Sequence, residues 1–180
     1  MKMGYLFEMP RAFTFDMPKV RQWLDDRLFG QVLNVFQGKN KLQDTPEYSV
    51  VNCDIDQTMV PDFVMDAMTL ADQFNPQSFD VAIMDPPYSY HQANVNYNGH
   101  LCHKICVVKE HLRIIIRKRI IWFGWSIPAT EDFQKVEILL VGHGGSHNAT
   151  ICTVEDRITP YVKPLKGETR RRNQQKTKLT

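Results

Sequence analysis

Apolar residues recur at two different periods along this chain, and the changes of period mark its elements. Val20, Trp23, Leu24 and Leu28 keep one face of a 3.6-residue repeat. This predicts a helix entered at residues 16–18, with Asp16 able to cap and Pro18 tolerated in the first turn, and ended by Gly30. Short apolar runs follow: Gln31 to Phe36, Tyr48 to Cys53, a marginal Phe63 to Met65, and the stronger Phe79 to Met84 (FDVAIM). Ser89 to Gly99 is polar, rich in Asn and shows neither period, so it reads as a loop. Leu101, Ile105, Val108, Leu112 and Ile115 return to helical spacing, with Arg117, Lys118 and Arg119 where a helix dipole favours cations. Ile120 to Trp125 is a fifth strand. Val136 to Val141 and Thr150 to Val154 are two more, separated by a loop long enough for an antiparallel hairpin. Strands alternating with helical or connecting segments, then a terminal hairpin, predict an α/β fold with a mostly parallel seven-stranded sheet and one antiparallel strand.

Composition bounds this picture. At 180 residues and 43% hydrophobic, the chain can enclose one core and is too short for two full domains. No apolar run approaches the roughly 20 residues of a membrane helix, and residues 1–10 do not read as a secretory signal. The expectation is a cytoplasmic protein without membrane contact. Cys53, Cys102, Cys106 and Cys152 stand at irregular spacings in largely apolar surroundings, the pattern of buried free thiols. Cys102 and Cys106 form a C-x3-C pair with no second ligand pair downstream, so no metal site is expected.

Charge divides the chain. From Val162 to Thr180 there are seven Lys and Arg against Glu168 alone, a net +6, so residues 1–161 carry −4 of the overall +2. The expected organisation is a folded domain over 1–161 and a basic, flexible tail over 162–180. Lys163, Lys166, Arg170, Arg171 and Arg172 are the candidate nucleic-acid contacts of that tail. Composition alone fits a solvated, solubilising tail equally well.

In an open α/β sheet the binding crevice lies outside the carboxyl ends of the strands. Four polar signals fall at such ends here: Gln37-Gly38, Asp54, Asp66 and Asp85-Pro86-Pro87-Tyr88. A single carboxylate after a strand is more often a cap or turn residue, but four converging ends indicate a nucleotide-like ligand. In the last element two prolines fix the backbone and remove two donors, Asp85 adds an acceptor and Tyr88 an aromatic face. An exocyclic amine on a nucleobase needs those parts. Its lone pair is delocalised into the ring, so acceptors for the amino hydrogens and a stacking surface raise its reactivity and hold it in line with an electrophile.

The segment FDVAIMDPPYS resembles motif IV of the S-adenosylmethionine-dependent amino-methyltransferases, which act on adenine N6 or cytosine N4 in DNA and include related RNA enzymes. The resemblance spans roughly Phe13 to Glu155 and implies a Rossmann-like methyltransferase fold. It implies a catalytic role for Asp85, Pro86, Pro87 and Tyr88. Phe36, Gln37 and Gly38 would meet the methionine part of the cofactor, Asp54 with Ile55 its ribose, and Asp66 with Ala67 its adenine. Phe13 and Thr14 would belong to an N-terminal element closing over its amino-acid end. Motif I of that family usually reads Asp-Pro-Phe-x-Gly-x-Gly, whereas residues 34–40 lack the acid and the final glycine. No insertion is long enough for a target-recognition domain. Specificity must then come from the loop between Ser89 and Gly99, the tail, a partner chain or a further copy. The implied function is methyl transfer to a nucleobase in DNA, adenine N6 first, with RNA as the second substrate. The alternative is a non-catalytic relative that binds nucleic acid or a partner.

Overall fold

The computed structural model of the chain describes residues 1–87, 104–145 and 147–162. Eight strands of the described residues form one sheet: β1 (Lys2–Phe7), β2 (Gly30–Val35), β3 (Tyr48–Asp54), β4 (Phe63–Val64), β5 (Phe79–Met84), β6 (Ile116–Gly124), β7 (Phe133–Gly142) and β8 (Thr150–Arg157). Among the described residues three helices join them: α1 (Pro18–Asp25), α2 (Leu70–Gln73) and α3 (Ile105–Ile115). The strand order is β1-β7-β8-β6-β5-β2-β3-β4. Every neighbouring pair is parallel except the two that β8 makes, with β6 and with β7. The expected single antiparallel strand is therefore β8. The seven expected strands are present, and β1 adds an eighth at the edge.

Residues in the central strands alternate between two cores, because successive side chains of a strand point to opposite faces. On one face Val32, Val81, Ile83, Ile121 and Phe123 pack against Val20, Trp23 and Leu24 of α1. On the other, Leu33, Ala82, Met84, Ile120 and Trp122 meet Leu70 of α2 and Val108, Leu112 and Ile115 of α3. β5 is buried along its whole length, which explains its unbroken apolar run. No described helix is long and apolar enough to cross a membrane.

Local expectations were corrected by contacts distant in sequence. Asp16 does not cap α1; it sits in a 3-10 turn, Thr14–Asp16, and Met17 is the residue before the helix. The capping acceptor is Glu8, whose Oε2 takes the N–H groups of Lys19 (3.1 Å) and Val20 (3.4 Å). Arg117, Lys118 and Arg119 lie in β6 and not at the end of α3. Arg117 and Lys118 reach Asp80 at 2.9 and 3.2 Å, and Arg119 pairs with Asp156. Of the cysteines, Cys53 and Cys152 are buried thiols but Cys106 is exposed; Cys102 lies outside the described residues.

Asp80 is the anchor at the amino ends of the parallel strands. Its Oδ2 also accepts the Gln31 N–H at 3.0 Å, and it leaves no room for a side chain at Gly30, whose φ of +63° is accessible to glycine without cost. Burial works to raise the Asp80 pKa, but the Gln31 N–H, Lys118 and Arg117 outweigh it and hold the carboxyl below its usual range. A carboxyl depressed in the folded state contributes stability that is complete above the unfolded pKa of about 4 and lost as pH falls through the folded value. We expect Asp80→Asn to cost about 1–3 kcal/mol at neutral pH. It should also flatten the loss of stability on acidification, both read from urea unfolding across a pH series.

Candidate active site

The sheet order sets the carboxyl ends of β4, β3, β2 and β5 side by side. From β2 the chain moves outward to β3 and β4, then returns to β5 on the other flank of β2. That reversal opens a crevice between β2 and β5. Phe36 to Gly38, Asp54-Ile55, Asp66-Ala67 and Asp85 to Pro87 all follow these ends. Tyr88, the Ser89–Gly99 loop and the tail cations from Lys163 onward lie outside the described residues.

The turn after β2 is held in an unusual shape. Phe36, a non-glycine residue, has φ +59°, a conformation that costs on the order of 1–3 kcal/mol and persists only where surrounding contacts enforce it. Gly38 follows at φ +50°. The enforcing contacts come from β3. Cys53 O accepts the Gln37 N–H at 3.0 Å, and Asp54 Oδ2 accepts the Gly38 N–H at 2.7 Å. The other Asp54 oxygen accepts the Asp56 N–H at 2.8 Å, so one buried carboxylate orders the turns after both strands. Gln37 donates its side-chain amide to Met59 O and Gly38 O, while its buried Oε1 has no hydrogen-bond partner among the described residues. Burial pushes the Cys53 thiol up to about 12, with Asp62 and Asp54 adding to the effect, so it is neutral and no nucleophile at physiological pH.

Residues 36–47 cross from β2 to β3 without a helix. Asn52, buried in β3, supplies what the helix would otherwise organise. Its Oδ1 accepts the Leu42 N–H and its Nδ2 donates to Leu42 O, so the side-chain amide pairs with the crossover as a neighbouring strand would. Asn52 also takes a bond from Asn34 Nδ2 (3.0 Å) and gives one to Asp62 Oδ2 (3.0 Å). The Asn52 backbone and side-chain N–H groups, with Lys41, hold the Asp62 carboxyl below its usual range against the opposing effect of burial.

Asn40 links three parts of the crevice. Its Oδ1 accepts the Phe15 N–H (3.4 Å), its Nδ2 lies 3.5 Å from Asp85 Oδ2, and its carbonyl accepts from Asn34 Nδ2 (3.1 Å). Next to it, Lys39 Nζ stands 5.5 Å over the Phe13 ring. Phe13 and Thr14 are thus brought against the β2 turn, and Asp85 is oriented from the same point. Asp66 Oδ1 accepts the Met68 N–H and caps a 3-10 turn, and Ala67 is buried in the core beneath it. Ile55 remains 42% exposed, a free apolar surface at the mouth. Asn40 and Asn52 were not singled out in the sequence, although a polar residue inside the apolar run of β3 was a usable signal. Trp125 was also missed. It follows the last residue of β6, the strand paired with β5, and is 49% exposed.

Chemically, Asp54, Asp66 and Asp85 give the crevice carboxylates at three strand ends, and its first turn leads into no helix. Among the described residues the turn after β2 offers no helix N-terminus on which a pyrophosphate would rest, and carboxylates at strand ends suit a ligand bearing hydroxyls and positive charge. No group of His, Cys, Asp and Glu suited to a metal ion occurs among the described residues.

The sheet order, the single antiparallel strand and the crevice at the β2–β5 reversal define a Rossmann-like methyltransferase fold. Solved structures share it. The proposed methyltransferase yhhF of Escherichia coli superposes with a TM-score of 0.56 at 13% identity, over 84% of this chain and 91% of that one. The N-methyltransferase NodS of Bradyrhizobium japonicum, in complex with S-adenosylhomocysteine, gives 0.53 at 9% identity, over 79% and 89%. The 1,6-didemethyltoxoflavin N1-methyltransferase of Burkholderia thailandensis, with its substrate and S-adenosylhomocysteine bound, gives 0.50 at 9% identity, over 76% and 74%. No family model and no curated protein matches the sequence.

The amide network makes a counter-intuitive prediction. Asn34→Asp installs the acid that the resembling motif carries, yet Asn34 Nδ2 donates to Asn40 O and Asn52 Oδ1. A carboxylate there would face two acceptors in a buried site. We expect a loss of about 2–3 kcal/mol in urea unfolding, since a buried charged group would be left unsatisfied.

Proposed function

We propose that this chain is a methyltransferase that draws its methyl group from S-adenosylmethionine and delivers it to an exocyclic amino group of a nucleobase, adenine N6 in DNA first and RNA second. The observation that supports the reading is that Asp54, Asp66 and Asp85 stand at or just after the carboxyl ends of β3, β4 and β5, which flank β2 in one sheet, while the described turn after β2 leads into no helix. The residues present fit that cofactor: Gln37 Oε1 is a buried acceptor without a donor among the described residues, and Ile55 is an exposed apolar surface between Asp54 and Asp56. When bound, the cofactor supplies an electrophilic methyl on a sulfonium sulfur.

The chain's own groups supply position and acceptors. Asp54 stands where ribose hydroxyls would find a charged acceptor, and it holds the Gly38 turn against them. Ile55, with the Ala67 turn behind it, offers the adenine an apolar face. Phe13 and Thr14 close the amino-acid end beside Lys39. Asp85, aimed by Asn40, accepts a hydrogen from the target amine and raises the nitrogen's nucleophilicity without becoming a covalent partner. Pro86 and Pro87 have no N–H, so the turn places no backbone donor of theirs against that amine. Tyr88 is assigned to stack on the target base, which a duplex substrate would have to extrude. Lys163, Lys166, Arg170, Arg171 and Arg172 are assigned to the phosphate backbone, where contacts position without reading sequence.

Calorimetry with S-adenosylmethionine and its demethylated product is the test. Binding is expected with both, weakened about 5- to 150-fold by Asp54→Ala, the equivalent of 1–3 kcal/mol for stranding hydroxyls that had a charged acceptor. Removal of residues 163–180 should leave it unchanged, because every residue assigned to the cofactor precedes Ser89. A folded chain that binds neither compound would favour the non-catalytic alternative, to which the structural use of Asn34 lends support.

A further inference from the structure

Among the described residues the most exposed apolar row lies on β1, at the sheet edge away from the crevice. This strand is the outer edge of the sheet; β7 is its only strand partner among the described residues, and Lys19 Nζ reaches Phe7 O at 3.4 Å. Its odd-numbered residues share one face at the two-residue period of a strand. Met3, Tyr5 and Phe7 are 73%, 67% and 49% exposed, and Met1 and Met9 continue the row at 72% and 59%. Leu140, paired with Tyr5 in register, adds 40%. The connection from β6 to β7 contains no helix that could cover them. An open edge with an apolar face is a surface that soluble chains ordinarily blunt or bury.

The even-numbered residues say what covers it. Lys2 and Glu8 stand equally far from Tyr5, on opposite sides of it and with opposite charge. Lys2 contacts Glu137 at 3.4 Å but is 70% exposed in its side chain, and Glu8 is engaged with α1 through Oε2. We propose that β1 pairs antiparallel with β1 of a second copy about a two-fold axis at Tyr5, joining two sheets edge to edge. In that register Lys2 faces the partner's Glu8, Met3 faces the partner's Phe7, Gly4 faces the partner's Leu6, and Tyr5 faces Tyr5 of the partner subunit. The odd-numbered rows of the two copies then become cross-strand neighbours on one face. A shift of two residues either way loses both charge pairs, so the sequence of the strand selects itself in a single register. The tail from residue 163, with seven cations and little apolar content, has no comparable fit to this face.

Sedimentation velocity on the full chain tests this, independently of cofactor binding and hence of the proposed activity. The wild type is expected as a two-chain particle at micromolar concentration. Lys2→Glu and Glu8→Lys should each weaken self-association on the order of tenfold or more, by replacing two attractive cross-strand pairs with two repulsive ones. An equimolar mixture of those two variants should restore the two-chain particle, because each introduced charge then faces its opposite. Tyr5→Asp, which touches neither α1 nor its cap, should give a single chain with an unchanged circular dichroism spectrum. A wild type that stays a single chain, a Lys2→Glu variant that associates as the wild type does, or a mixture that fails to recover would each overturn the proposal.

Discussion

The turn after β2 has no helix behind it, and its shape depends on side chains of β3 acting as substitute backbone. Asp54 receives the Gly38 N–H, and Asn52 pairs with both backbone groups of Leu42. In most parallel crossovers a packed helix fixes where the loop returns. Here a few buried hydrogen bonds do so, and each is strengthened by its dry surroundings and would be costly to leave half made. The strained Phe36 backbone, the position of Asn40 and hence the aim of Asp85 all rest on that network.

The same arrangement separates the two halves of the site. On the side of β3 and β4, carboxylates and the exposed Ile55 suit a ligand with hydroxyls, an apolar ring and a positive charge. On the side of β5, the Asp85–Pro87 turn is the half to which the proposed function assigns the methyl acceptor. Asn40 lies between them and contacts the N-terminal segment as well, so ordering on either side can be felt on the other through one side chain.

Most strands were legible because their cause is local. Buried central strands such as β2, β3 and β5 read as apolar runs closed by polar ends, and seven of the eight strands are legible from apolar runs and turn signals. β1 alternates as clearly as any strand, but its apolar face meets no core, and it was read only for targeting signals. The charged triplet at Arg117 looked like a helix end because its partners, Asp80 and Asp156, are 37 residues away in opposite directions along the chain. The cap of α1 by Glu8 and the pairing of Asn52 with Leu42 were hidden for the same reason. Local pattern predicts elements, whereas the hydrogen bonds that shape this site are made between elements.

We propose that Asp85, which Asn40 contacts at the end of β5, serves methyl transfer to a nucleobase amine. Mass spectrometry of nucleosides from DNA and RNA of a methylation-deficient host expressing the chain addresses it most directly. A methylated amino nucleoside is expected with the wild-type chain, most of it lost with Asp85→Ala despite retained cofactor binding. Methylation undiminished by Asp85→Ala, or none from a wild-type chain that binds the cofactor, would contradict it.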